Sequence, residues 1–284
     1  VTATSDGRVL VFDTSSVEAT IGGDTALYIL GKAFAESSNW LDPLDIGGPY
    51  TETPRQDSMF SPKGVVVDTT NKLLYVADTQ YQRITVYDVR PEASGSQSTC
   101  GFASTGIATG MNASCVFGQS SFTATSSGTT ASKMDGPFFF FFDPVNHLLY
   151  VPESGNNRVL TFDVATLANN PSAVNNLGQV TIATTYTYDG STSLTANGIN
   201  SSTPIVNENG VSGASGVTMD TENHRMFVAD SGNHRILVFN LGVDNTLTDY
   251  TADNVLGQSN FLNNSAATTA TGLSSPRGIT YWHA

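Results

Sequence analysis

The 284-residue chain repeats itself, and the repeat limits its folds more than any other feature. Three segments align: 61–88 (Ser61-Pro62-Lys63-Gly64 … Leu74-Tyr75-Val76-Ala77-Asp78 … Arg83 … Asp88), 136–163 (Gly136-Pro137 … Leu149-Tyr150-Val151-Pro152-Glu153 … Arg158 … Asp163) and 215–240 (Ser215-Gly216 … Met226-Phe227-Val228-Ala229-Asp230 … Arg235 … Asn240). A fourth copy is split, with Ser275-Pro276-Arg277-Gly278 at the end of the chain and Arg8-Val9-Leu10-Val11-Phe12-Asp13 at its start. The arginines at 8, 83, 158 and 235 lie 75, 75 and 77 residues apart. A second marker follows each: Leu30-Gly31-Lys32, Phe117-Gly118-Gln119, Leu177-Gly178-Gln179 and Leu256-Gly257-Gln258.

Each copy reads as four short strands. Runs such as 64–68, 73–77 and 83–89 are β-branched or aromatic and end at turn residues, and the stretch before each Leu/Phe-Gly supplies a fourth strand. Asp68…Asn71, Asp143…Asn146 and Asp220…Asn223 suit Asx-type hairpin turns rather than calcium ligation. Asp78, Glu153 and Asp230 each precede Arg83, Arg158 and Arg235 by five residues across a tight turn. That spacing predicts a local ion pair that fixes the hairpin, and a catalytic carboxylate is not expected once per repeat. Four-stranded units in tandem predict an all-β four-bladed β-propeller, each blade burying its faces against its neighbours.

The pattern Phe227-Val-Ala-Asp-Ser-Gly-Asn-His-Arg235-Ile-Leu-Val-Phe239, with its partial copies, resembles the NHL-repeat family along essentially the whole chain. The resemblance implies NHL-like four-stranded blades. It implies no single function, because family members include protein-binding, RNA-binding and enzymatic propellers. Six blades are common in that family, whereas four are counted here. One domain is expected over 1–284, with repeat cores at about 61–119, 136–179 and 213–258 and a split blade of 275–284 plus 1–31. The terminal pieces would complete that blade within one chain, or would complete the blade of the next molecule in a heterologous assembly. Effective concentration favours closure within the chain.

Composition narrows the function. Twelve Lys+Arg against 25 Asp+Glu give a net charge of −13, and only 13% of residues are charged. Nucleic acid is therefore not an expected partner, nor is an anionic membrane surface. No apolar run approaches the length of a spanning helix, so membrane insertion is not expected. The chain opens Val1-Thr2-Ala3-Thr4 with neither Met nor a signal segment, as after removal of an export signal or in a trimmed sequence. Cys100 and Cys115 are the only pair available for a disulfide, and closing that loop is worth about 3 kcal/mol. Asn112, Asn200 and Asn263 head glycosylation sequons, and the Ser/Thr clusters at 119–132 and 265–275 offer sites for O-linked sugar. These features together predict an extracellular or cell-surface protein.

The run Phe138–Phe142 falls on the first strand of a blade and is assigned to the core. Catalysis finds little support. His147, His224 and His234 occupy turn slots in different repeats, and His283 lies near the end. No HExxH zinc site, Gly-rich phosphate loop or nucleophile elbow occurs. No cofactor and no metal site is expected, and no catalytic residue is assigned. The resemblance keeps a propeller lyase or lactonase as a lesser alternative. The expected function is a self-assembling, glycosylated structural subunit of a filament, tube or surface layer, whose partners are copies of itself. A secreted module that binds a peptide or glycan is the alternative, with Trp40, Tyr50, Tyr186 and Tyr188 in long non-equivalent loops as candidate contacts.

Overall fold

A computed structural model describes residues 2–3, 7–12, 26–31, 54–91, 98–103, 106–178 and 211–282. Its contacts group the chain into two compact units, Val1–Ser126 with Ala168–Asn170, and Ser127–Leu167 with Pro171–Ala284. Among the described residues the regular structure is strand, apart from single 3₁₀ turns at Thr79–Tyr81 and Ser231–Asn233. Among the described residues, no helix is long and apolar enough to cross a membrane.

In the first unit, β1 (Thr2–Ala3), β2 (Arg8–Val11) and β3 (Tyr28–Leu30) form a three-stranded sheet in that order. β4 (Pro62–Asp68), β5 (Leu73–Asp78) and β6 (Arg83–Asp88) form a meander. Short strands β7 (Ser98–Thr99) and β8 (Phe102–Ala103) pair with each other, and β9 (Cys115–Phe117) closes the meander as its fourth strand. In the second unit, β10 (Phe141–Asp143), β11 (Leu148–Glu153), β12 (Arg158–Asp163) and β13 (Asn175–Leu177) make one four-stranded sheet. β14 (Ala214–Asp220), β15 (Arg225–Asp230), β16 (Arg235–Asn240) and β17 (Asn254–Leu256) make the next. Every named pairing is antiparallel, as short hairpin links require.

The turns follow from side-chain chemistry. Asp68 Oδ1 accepts the amides of Thr70 and Asn71, and its Oδ2 accepts the Asn71 amide group. Asp143 and Asp220 repeat this with Asn146 and Asn223. The carboxylates therefore act as Asx-turn acceptors. Lys72, His147 and His224 sit in the next slot with φ of 56°, 53° and 54°. His234 shares the left-handed slot of Gln82 and Asn157 in the following hairpin.

Strand alternation divides each sheet into two faces. One, here the leading face, carries the acid–arginine pair; the other is the trailing face. In the first unit, Val9 and Leu30 on the trailing face of β2–β3 pack with Leu74, Val76 and Tyr87 on the leading face of the next sheet. In the second, Tyr150, Val159 and Leu177 on one trailing face pack with Met226, Val228, Leu237 and Phe239 on the following leading face. The same rule makes both cores.

The phenylalanine run is only partly strand. Phe138, Phe140 and Phe142 are buried, but regular pairing begins at Phe141, and Phe139 instead makes a parallel bridge to Gly216. Residues 277–281 also run alongside β14. The Tyr281 amide donates to Thr218 Oγ1 at 3.2 Å, and the Tyr281 ring stacks on Phe227 at 6.3 Å. A Cβ at Gly216 would lie 2.3 Å from the Arg277 carbonyl oxygen, so only glycine admits this approach.

Candidate functional site

Asp78–Arg83 and Asp230–Arg235 are ion pairs at 2.7 and 2.6 Å with fully buried side chains, and Glu153–Arg158 is equally enclosed. Each pair reaches beyond its hairpin. Asp78, Glu153 and Asp230 also accept the backbone amides of Phe60, Asp135 and Ser212, where the connecting loop enters the sheet. The guanidinium groups bind loop carbonyls on the other side. Arg83 donates to Phe122 and Ser58, Arg158 to Thr129 and Lys133, and Arg235 to Phe261. One buried pair thus fastens a hairpin to the loop that precedes or follows it.

Gln119 and Gln258 complete this fastening. Each side-chain amide donates to the left-handed residue before the arginine, Gln82 O and His234 O, and to a carbonyl seven residues ahead of itself, Ser126 O and Ser265 O. The sequence flagged both glutamines only as part of the marker. Their role becomes visible only when the carbonyls they bind are brought together by the fold.

Burial pushes the Asp78 carboxyl up to about 6 and the Glu153 carboxyl up to about 7, against the pull of Arg83 and Arg158; Asp230 is raised for the same reason. Such shifts often mark active sites. Here these three acids are enclosed, bound by several donors and repeated once in each four-stranded sheet, which is the signature of structure. Among the described residues, no group of three or more His, Cys, Asp or Glu comes together to hold a metal.

Cys100 and Cys115 form a disulfide with Cα atoms 5.6 Å apart, joining the end of the β7–β8 hairpin to β9. Asn112 and Asn263 are exposed on loops. Asn200, Trp40, Tyr50, Tyr186 and Tyr188 lie outside the described residues. The fold brings together a different surface. A cavity of about 350 Å³ on the trailing face of β15–β17 is lined by Arg225, Phe227, Val238, Asn240, Asp253, Asn254 and Leu256. An apolar floor with polar groups at its rim can hold an apolar side chain or the face of a sugar ring.

Residues 212–239 match the family model of the NHL repeat. No curated protein matches the chain. Among solved structures, a nidogen/laminin complex aligns with 83% of this chain and 57% of its own, at 17% identity and TM-score 0.41. A Bacteroides thetaiotaomicron protein of unknown function aligns with 78% of this chain and 42% of its own, at 13% and 0.43. A Bacteroides uniformis protein provisionally assigned as a 6-phosphogluconolactonase aligns over 73% and 42%, at 9% and 0.39. The chain thus spans about half the length of these solved proteins. Residues 212–239 match the NHL repeat, and the sheets at 62–117 and 141–177 share the strand register and the buried acid–arginine pair of that segment, so the fold is an all-β propeller with NHL-like blades.

Proposed function

We propose that this chain is a non-enzymatic, extracellular structural protein whose propeller blades assemble with copies of itself and carry glycans at Asn112 and Asn263. The observation that carries the reading is the use of the repeated charged groups. Each buried acid and arginine is fully engaged in fastening hairpins to loops, which leaves those groups to architecture. The disulfide supports an oxidising compartment. Exposure of Asn112 and Asn263 supports access for a glycosylating enzyme. The low share of charged residues suits a surface that packs against its own kind.

Electron microscopy and intact mass of the protein from its natural source test this together. Regular assemblies with a subunit mass above 30.0 kDa are expected. Dispersed, unmodified monomers would refute the reading. The cavity beside Phe227 favours a second one, a binding module for a glycan or peptide, because planar polar groups surround an aromatic ring there. Saturable binding of an oligosaccharide to monomers, abolished by Phe227→Ala, is the result expected of that alternative.

A further inference from the structure

The left-handed slot before the arginine has a second use in the second unit. Asn157 precedes Arg158 at φ 53°, and its Oδ1 accepts the backbone amide of Gly213 at 2.7 Å. His234 precedes Arg235 at φ 55°, and its Nδ1 accepts the backbone amide of Ser275 at 3.0 Å. Gly213 and Ser275 are equivalent in turn. Both are left-handed, at φ of 61° and 46°, and they open the matching segments 214–216 and 276–278. One slot therefore clasps the start of the next repeat, with an amide oxygen in one copy and an imidazole nitrogen in the other. An amide oxygen accepts at any pH, whereas an imidazole nitrogen accepts only while it carries no proton. A backbone amide can only donate, so its bond to Nδ1 requires the neutral ring with its proton on Nε2.

We infer that His234 is a proton-sensitive clasp, which holds residues 275–281 beside β14 when neutral and releases the start of that segment when protonated. A proton on Nδ1 would point at the Ser275 amide hydrogen, and the acceptor left beside it is the Ser275 hydroxyl at 3.4 Å. Among the described residues, no backbone ladder joins 275–281 to β14 to make up for the lost bond. The segment is held through side chains instead. The Ser231 hydroxyl donates to the Pro276 carbonyl, Ser215 Oγ donates to the Pro276 and Arg277 carbonyls at 3.2 and 3.3 Å, and the Tyr281 amide donates to Thr218 Oγ1. The charged groups about the ring are Asp230 and Arg235 on its own hairpin, paired with each other, and Arg277 on the clasped segment, whose guanidinium lies over Phe138. Residues 254–275, which supply Gln258 to the His234 carbonyl, carry no charged side chain. The clasp is independent of the self-assembly reading.

Amide hydrogen exchange, divided by the intrinsic rate at each pH, tests it between about pH 8 and pH 5, the span in which histidine side chains take up a proton. In wild type, protection of the Ser275 amide is expected to fall on the order of tenfold across that span, the loss of one hydrogen bond. Protection of the Gly213 amide, held by Asn157, is expected to stay level. His234→Asn installs the acceptor of the equivalent slot and is expected to make protection of Ser275 independent of pH. His234→Gln, which carries the side chain of Gln82 from the first unit, gives the same comparison with a longer reach. A wild-type Ser275 amide equally protected at both ends of the range would overturn the clasp. An equal loss at Gly213 would overturn it too, because the sheet as a whole would then be loosening. So would a pH dependence that persists undiminished in both variants.

Discussion

At the scale of single residues, the buried acid–arginine pair sets the energetics. Removing one partner strands the other in a dry interior, which typically costs about 3–5 kcal/mol. Arg235→Ala also releases the Phe261 carbonyl, and Asp230→Ala releases the Ser212 amide. Urea unfolding should show each single variant destabilised by that order, with the double variant Asp230→Leu/Arg235→Met losing clearly less than the sum. Additive losses would refute this account. Glu153 supplies a pH test. Its folded value of about 7 lies above its ordinary 4.5, so the native state holds more proton than the unfolded state between those values. The contribution to stability is complete below pH 4.5 and is lost as pH rises through 7. The stability advantage of wild type over Glu153→Gln should therefore shrink between pH 5 and 7.5; parallel thermal-midpoint curves would contradict it.

At the scale of elements, the strands were legible because burial imposes alternation and because the pattern recurs. β5 and β6 fall within one residue of the 73–77 and 83–89 runs that predict them, and β15 and β16 fall on their copies. The Asp-x-x-Asn turns were legible for a related reason, since the acceptor and all three donors lie within four residues. The grip of Arg83 on Phe122 and of Arg235 on Phe261 was not. A backbone carbonyl has no side-chain signature, and its partner is 26 to 39 residues away. The phenylalanine run was legible as core but not as an interrupted strand, because Phe139 turns its pairing toward Gly216. Gly216→Ala tests the contact of β14 with residues 277–281. The added methyl group would push the Arg277 carbonyl away and loosen residues 277–281. Trypsin cleavage after Arg277 should become several-fold faster, with little change in global unfolding; unchanged cleavage would show that β14 yields instead.

At the scale of the whole molecule, the disulfide is the covalent tie between a loop and a sheet. It spans 15 residues, a loop whose closure is worth about 3 kcal/mol in the chain-entropy account. Cys100→Ser/Cys115→Ser should lower stability by that order, and reductant should lower the thermal midpoint of wild type while leaving that of the double variant unchanged. An equal midpoint for wild type and double variant under oxidising conditions would show that the bond adds nothing.

The Leu/Phe-Gly marker has a consequence for how such a chain can vary. At Gly31, Gly178 and Gly257 the backbone is left-handed, and a Cβ would strike the side chain of Met59, Val211 or Leu273 at 2.7 Å or less. Those contacting residues come 28, 33 and 16 positions later. One latch therefore closes over connections of very different length, and closure entropy rises only slowly with length. Insertions between latch and keeper are the changes this architecture absorbs most readily. Variation and engineered cargo should accumulate there, while the spacing from acid to arginine stays at five.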